Sequence, residues 1–431
     1  MKPRYYDLQH IKEIPIGDYL HACGIEPAKR YNGYALYHAP YREDHNASLK
    51  VDFRQNLWHD YGTNQGGSII DLVMRMQGCS AYKAMAHLAE RKATPFTSTP
   101  DDVHFDPCMK AIDAGLHVLL EKPIAQRLDE CRAIARRARE RGVLVGICHV
   151  LRYHPYFAKI REIVDSGELG QIISVNHVAA VGIDRTTHSY VRGPWRREET
   201  SNPMLLAKCC HDVDFLLWIT RSPCRKLSSF GSLRWFRAAN APQTSAERCI
   251  DCPVEHDCPY SAVDLYCTRR DWISNFDVPQ GRTLDEVLLE ELRHGPYGRC
   301  IYRCDNDVVD HQLLTMELAD ETILSLSMDI FTQDDCRRTH IKMTHGEIFG
   351  DERKLHVHRF RRGHNRVYDF EELAGHPFHA GADLRLIEDF VDALTRPGHP
   401  FLCTIEDSIE SHRICFEAER SRRCGETIRL E

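Results

Sequence analysis

The chain has 431 residues, 42% hydrophobic and 28% charged, enough for two or three domains that each bury a core. A net charge of −7 leaves no global basic excess for nucleic acid or an anionic membrane, and the first 95 residues, with 12 Lys/Arg against 10 Asp/Glu, barely shift it. Met1–Tyr6 has no apolar signal core, and no run nears the roughly 18 residues of a membrane span, so a soluble cytoplasmic chain is expected. Its 18 cysteines are then thiols or metal ligands rather than a disulfide framework.

From the N-terminus the pattern predicts a helix over 7–22, strands over 48–54 and 57–61, and amphipathic helices over 68–77 and 81–90, the first capped by Ser68. Ala39-Pro40-Tyr41-Arg42, Ser48-Leu49-Lys50-Val51 and Trp58-His59-Asp60-Tyr61-Gly62-Thr63 fall in an order that resembles the zinc-finger domain of bacterial DNA primases, closest to the primase-like proteins of Bacteroides-type mobile elements. The resemblance puts zinc ligands at Ala39, Arg42, Asp60 and Thr63. None is a thiol or imidazole, so residues 1–95 are expected to form a small α+β, zinc-less domain. Two readings of its surface stay open. Arg42, Lys50, Arg54, Trp58 and Tyr61 could contact DNA, or the rings could be core and the charges a solvated rim; nucleic acid is the less expected partner.

Residues 91–100 read as a linker, followed by a helix over 106–114, the strand His117–Leu120, the triplet Glu121-Lys122-Pro123, a helix over 128–141 and the apolar strand Val143–Val150. Helix–strand–helix–strand is the rear half of a doubly wound domain. The glycine-rich G-x-G-x-x-G turn that seats a pyrophosphate occurs nowhere in the chain. Residues 93–98 are not expected to supply the preceding strand, which leaves His117–Leu120 with a bare edge.

Thr99-Pro100-Asp101-Asp102-Val103-His104, Glu121-Lys122-Pro123, Arg152-Tyr153-His154-Pro155, Cys210-His211-Asp212-Val213-Asp214 and His379-Ala380-Gly381-Ala382-Asp383 together resemble the Gfo/Idh/MocA family of NAD(P)-dependent oxidoreductases. The resemblance implies an α/β Rossmann domain, here a truncated remnant over 96–150, then an α+β domain over 151–431 with a large, open, mostly antiparallel sheet that carries substrate and any homo-oligomer interface. It implies hydride transfer from a sugar or cyclitol hydroxyl to NAD or NADP. His211 would be the base, Lys122 would orient the hydroxyl and nicotinamide, and Lys208, three residues before His211, is a further catalytic candidate. Thr99, Pro100, His104, Glu121, Lys122 and Pro123 would hold the cofactor; Arg152, Tyr153, Trp195, Arg196 and Asp212 would face the substrate. Many members carry Asp four residues before the His, where this chain has Ala207. Asp212 and Asp214 could instead cap a helix over 215–220, and residues 188–197 line the pocket or form an exposed loop.

Cys249-x2-Cys252-x5-Cys258 in a polar loop suggests zinc on three thiolates, with Cys267, His256 or Cys224 as fourth ligand; an iron–sulfur cluster or a reduced thiol-rich loop are the alternatives. Strands are predicted over 308–318, 322–331 and 340–349, and helices over 383–394 and 405–420, whose apolar faces a truncated cofactor domain would leave partly uncovered. The expected function is therefore that of a sugar or cyclitol dehydrogenase with weak or lost NAD(P) binding. The alternatives are a mobile-element nucleic-acid module and a fusion without selected function.

Overall fold

The computed structural model describes residues 12, 15–79, 81, 84–85, 96–97, 103–279, 281–361, 365–373 and 377–430. They divide into two compact units, Met1–Thr94 and Pro95–Glu431. Thr99, Pro100, most of the linker and most of the helix predicted over 81–90 lie outside the described residues.

The first unit has α1 (Ile16–Ala22), an antiparallel meander β1 (Lys29–Tyr31), β2 (Tyr34–Tyr37), β3 (Leu49–Asp52), β4 (Leu57–Asp60) and β5 (Gln65–Gly67), and then α2 (Ile69–Gln77). Alternation sets the register: Ala35 and Tyr37 of β2 and Leu49 and Val51 of β3 are buried while their neighbours are half-buried. The Ser68 N–H donates to Asp71 at 2.8 Å in a capping box, and Gly78, at φ +60°, ends α2. Trp58 is 3% exposed and donates to the Ser68 carbonyl, so it is core and not a stacking platform for bases.

A charge knot closes the meander. Asp60 is fully buried and accepts from Arg42 Nε (3.0 Å) and Nη2 (2.7 Å), the Tyr41 hydroxyl (3.0 Å), Ser48 Oγ (3.1 Å), the Gly62 N–H (2.8 Å) and Thr63 Oγ1 (3.0 Å). The Arg42 guanidinium holds the Asp60 carboxylate well below the ordinary carboxylate range. Arg42 is thereby committed to the Asp60 carboxylate, although its side chain stays partly exposed.

In the second unit, β6 (Phe96–Thr97), β7 (Val118–Leu120) and β8 (Val145–Ile147) form a parallel sheet in that order. The expected bare edge is therefore covered: residues 93–98 do contribute a strand, of two residues, too short and too polar to show periodicity. The outer edge of β8 is closed by the Ile147 N–H, which donates to the Cys403 carbonyl at 2.8 Å. α3 (Phe105–Asp113) and α4 (Leu128–Arg141) bury Cys108, Ile112, Cys131 and Ile134 against this sheet.

After α5 (Pro155–Asp165), among the described residues nine strands form one sheet in the order β16-β15-β14-β13-β9-β12-β11-β10-β17. These are β9 (Ile172–Ala180), β10 (Cys224–Ser232), β11 (His311–Leu318), β12 (Ile323–Asp329), β13 (Arg337–Met343), β14 (Gly346–Gly350), β15 (Lys354–Arg359), β16 (Arg366–Asp369) and β17 (Ile428–Arg429). Only β9 with β12 runs parallel among these pairs. The stretch 340–349, expected as one strand, is a hairpin that turns at Thr344-His345. α6 (Met204–Thr220) and α9 (Ile405–Cys424) pack on one face; α7 (Leu284–His294) lies in the long β10–β11 connection.

The two C-terminal helices differ in cover. α9 buries Ile405 in the core of the parallel sheet and Ile414, Cys415 and Ala418 in that of the large sheet. α8 (Pro377–Thr395) leaves Leu384 (59%), Ile387 and Val391 exposed. Among the described residues no helix is long and apolar enough to cross a membrane.

Candidate active site

Polar groups gather beyond the C-terminal ends of β7 and β8, where open parallel sheets place ligands. Glu121-Lys122-Pro123 follows β7 and ends in a cis Lys122–Pro123 bond; His149 follows β8. Lys122 Nζ donates to the Ala207 carbonyl on α6 at 2.7 Å, one turn before His211. His104 Nδ1 stands 2.7 Å from the Pro123 carbonyl and fixes the triplet from behind. Burial raises the Glu121 carboxyl above its ordinary range, against the pull of Lys122.

His211 is 8% exposed, and its Nδ1 is buried without a hydrogen-bond partner among the described residues. Burial, with the Lys122 charge next, pushes its pKa well below that of an ordinary histidine, so the ring is neutral near pH 7. Its ring stands edge-on to His149 at 5.6 Å between centroids, and His149 stands 5.9 Å from His412 of α9. His149 is fully buried with neither nitrogen paired, and Asp214 is 3.7 Å from its Nε2, too far for a hydrogen bond. Burial lowers His149 to about 4 and His412 to about 3. His412 differs in being committed: its Nε2 accepts the Ile124 N–H at 2.9 Å and Nδ1 faces the Ser408 carbonyl at 2.9 Å.

The other candidates do not converge there. Arg152 Nε and Nη2 clamp Asp214 at 2.8 and 2.7 Å, and Nη1 donates to the Leu402 carbonyl at 2.7 Å, so Arg152 is a brace. The Tyr153 hydroxyl donates to Asp389 at 2.6 Å. Both residues line a cavity of about 860 Å³ with Trp218, Arg385 and Phe401, which neither Lys122 nor His211 lines. Asp212 is fully buried and pairs with His177 Nε2 at 2.9 Å and Arg337 Nε at 2.6 Å. It braces α6 to the sheet and does not face a substrate; burial alone would raise it, but Arg337 and His177 keep it charged.

α6 runs unbroken through 212–214, so neither aspartate caps a helix. Lys208 lies 3.4 Å from Asp335 and points to that carboxylate instead of joining His211; burial lowers it to about 8. Trp195 is 37% exposed, and Arg196 is spent on Asp305 at 2.8 Å. Of the stretch 188–197, the part up to Arg192 lies in a buried π-helical turn over 186–192, with His188 stacked between Trp272 and Tyr297, while Trp195 is partly exposed. Cys267 is exposed, and Cys224 sits in β10. Among the described residues no three His, Cys, Asp or Glu side chains stand in metal-ligating convergence, so the zinc set with Cys267 is not assembled.

His149 was missed because it interrupts an apolar run, and His412 because it lies among the polar residues of α9, between Ser411 and Arg413. The available signal for His149 was position: a polar residue at the C-terminal end of a buried parallel strand.

A parallel sheet with a lysine and histidines beyond its C-terminal ends, followed by a large open sheet, defines a Rossmann-type oxidoreductase fold. Residues 73–149 match the profile described as oxidoreductase family, NAD-binding Rossmann fold, and residues 157–257 match the Gfo/Idh/MocA C-terminal domain. Two regions of the chain thus match, in their order, the two domains of the Gfo/Idh/MocA oxidoreductase family. The first match begins upstream of Thr99, so the family region starts earlier than its motifs suggested.

The chain is 32% identical over 126 residues to 1,5-anhydro-D-fructose reductase of Ensifer adhaerens, covering 29% of this chain and 36% of that one. It is 30% identical over 127 residues to scyllo-inositol 2-dehydrogenase (NADP(+)) IolW of Bacillus subtilis, covering 29% and 34%. It thus spans about a third of the length of these curated relatives. The WlbA dehydrogenase from Bordetella pertussis, solved in complex with NADH and UDP-GlcNAcA, superposes with a TM-score of 0.52 at 15% identity over 78% of this chain and 79% of that one, a likeness of fold.

Proposed function

We propose that the second unit performs hydride transfer at a hydroxyl-bearing carbon of a sugar or cyclitol, with Lys122 and His211 at the reacting centre. One observation carries the reading. A buried neutral imidazole with an uncommitted Nδ1 lies beside an ammonium, both beyond the ends of a parallel sheet. The imidazole takes the hydroxyl proton, and the Lys122 ammonium stabilises the oxyanion that develops as the proton leaves. NAD or NADP, when bound, supplies the hydride acceptor.

Residues for the nicotinamide end are present: Glu121, Lys122 and Pro123, with His104 behind them and Thr99 and Pro100 upstream. Those for the pyrophosphate do not fit, because the chain has no G-x-G-x-x-G and the described parallel sheet has three strands. We therefore infer weak cofactor affinity, a dissociation constant near or above about 1 mM. Lys208 is left out of this site, since its ammonium is directed to Asp335. A first module over 1–95, a cofactor module over 96–150 and a substrate module over 151–431 is the matching division. The first would be the zinc-less relative of a primase finger, with the Arg42–Asp60 pair standing where ligands would be. Any self-association is assigned to the open face of the large sheet, where Ile173, Phe230, Leu313 and Ile323 are exposed.

Titration of reduced nicotinamide fluorescence with the full chain, and turnover of polyols at saturating cofactor, test the reading. Turnover lost about 10²–10⁴-fold in His211→Asn is expected. Unchanged turnover in that variant would overturn the site; micromolar binding would overturn the weak affinity alone.

A further inference from the structure

Cys249, Cys252, Cys258 and Cys300 line one apolar cavity of about 20 Å³, with Arg192 also in its wall. That is room for about one water molecule or one ion. Three of the thiols come from a chain of tight turns: the Cys252 N–H donates to the Cys249 carbonyl, Glu255 to Cys252 and Cys258 to Glu255, each at 3.1 Å. The fourth arrives from 42 residues or more along the sequence through an antiparallel bridge between Arg248 and Arg299. The Cys300 N–H donates to the Glu247 carbonyl at 2.8 Å and locks that bridge, so Cys249 and Cys300 each directly follow a bridged residue.

Arg192 supplies the second observation. It is fully buried; Nε donates to the Arg299 carbonyl at 2.9 Å, and Nη2 to the Tyr260 carbonyl at 2.8 Å and to Cys249 Sγ at 3.6 Å. Its Nη1 has no partner, and no acidic side chain pairs with it among the described residues. A buried guanidinium without a counter-charge costs several kcal/mol, and neutral thiols offer none. Four thiolates around a divalent cation carry a net charge of −2, which supplies it.

We propose that Cys249, Cys252, Cys258 and Cys300 bind one thiophilic divalent cation of the zinc type, with Arg192 donating to the ligand sulfurs. Four S–H bonds release their protons to solvent, four metal–sulfur bonds form, and the hydrated ion gives up its waters. The ligands are not yet in ligating convergence: Cys249 Sγ is turned to the Arg299 carbonyl at 3.8 Å and must rotate toward the cavity. Cys300 takes the place expected for Cys267, which is exposed and outside the cavity.

The test uses the reduced, chelator-treated full chain, titrated with Zn²⁺ and separately with Co²⁺. One equivalent of zinc, thiolate-to-cobalt charge-transfer absorption and loss of four thiols from reagent titration are expected. Cys300→Ser should weaken binding by at least about 10²-fold and Cys267→Ser should not; loss of the Arg192 donor should cost about 10–100-fold. Should Cys300→Ser fail to fold, the stoichiometry and thiol count of the unsubstituted chain decide. No stoichiometric binding, full retention by Cys300→Ser, or iron with inorganic sulfide in place of the divalent ion would each overturn the proposal.

Discussion

The two units treat their buried polar groups in opposite ways. In the first, Asp60 is buried yet accepts six hydrogen bonds, and the guanidinium that neutralises it is itself anchored to Ser48. In the second, His149, His211 and Arg192 keep buried nitrogens that find no partner among the described residues. A satisfied polar interior holds a fold together; an unsatisfied one marks a place where something else binds or reacts. The second unit also contains the satisfied kind, in Arg152–Asp214 and Arg337–Asp212, so the contrast is not one of overall quality.

The contrast breaks most sharply under charge removal. Asp214→Asn leaves Arg152, whose side chain is 6% exposed, without its counter-ion and should cost about 3–5 kcal/mol in denaturant unfolding. Asp60→Asn should cost less, about 1–3 kcal/mol, because the Arg42 side chain is 26% exposed and can reach water. Equal losses at the two sites would remove the distinction.

Acid separates them by window. His149 and His412 have folded pKa values of about 4 and 3, below the ordinary 6.5, so the unfolded chain binds their protons first. Their contribution is complete above about pH 6.5 and is lost as pH falls, at about 1.4 kcal/mol per pH unit for each ring. Asp60 is likewise depressed, but from 3.8, so its contribution is lost only at more acid pH. Unfolding of the second unit followed between pH 6.5 and 4, with His412→Gln as control, checks this; a pH-independent stability there would contradict buried neutral rings. The smallest expected effect is Tyr61→Ala, which removes a ring 62% exposed at the meander's surface and should change stability by within about 0.5 kcal/mol.

These contrasts also explain what could be read from sequence. β3, β4, β7, β8 and α4 were legible because their apolar periodicity is local. β1 and β5 were not, since Lys29–Tyr31 is wholly exposed and Gln65–Gly67 carries no apolar residue, and β2, Tyr34–Tyr37, is apolar at every position and too short to show alternation. Lys122 and His211 were found through a family resemblance; in the fold, Lys122 Nζ donates to the Ala207 carbonyl one turn before His211. The ion-pair partners of Asp212 and Arg152, Arg337 and Asp214, were not legible, because a brace and a substrate ligand share a composition. Cys300 was unreachable as a fourth ligand candidate because a single bridge, Arg248 to Arg299, closes the distance that the sequence leaves open.

The central claim is that His211 is a neutral base at a site whose cofactor is weakly held. The most direct measurement is the pH dependence of turnover at saturating NAD⁺ or NADP⁺, with and without His211→Asn. The account predicts an acid limb below the ordinary histidine range, since burial and Lys122 both lower that ring, and loss of the limb together with turnover in the variant. An acid limb at or above 6.5, or one that survives His211→Asn, would contradict it.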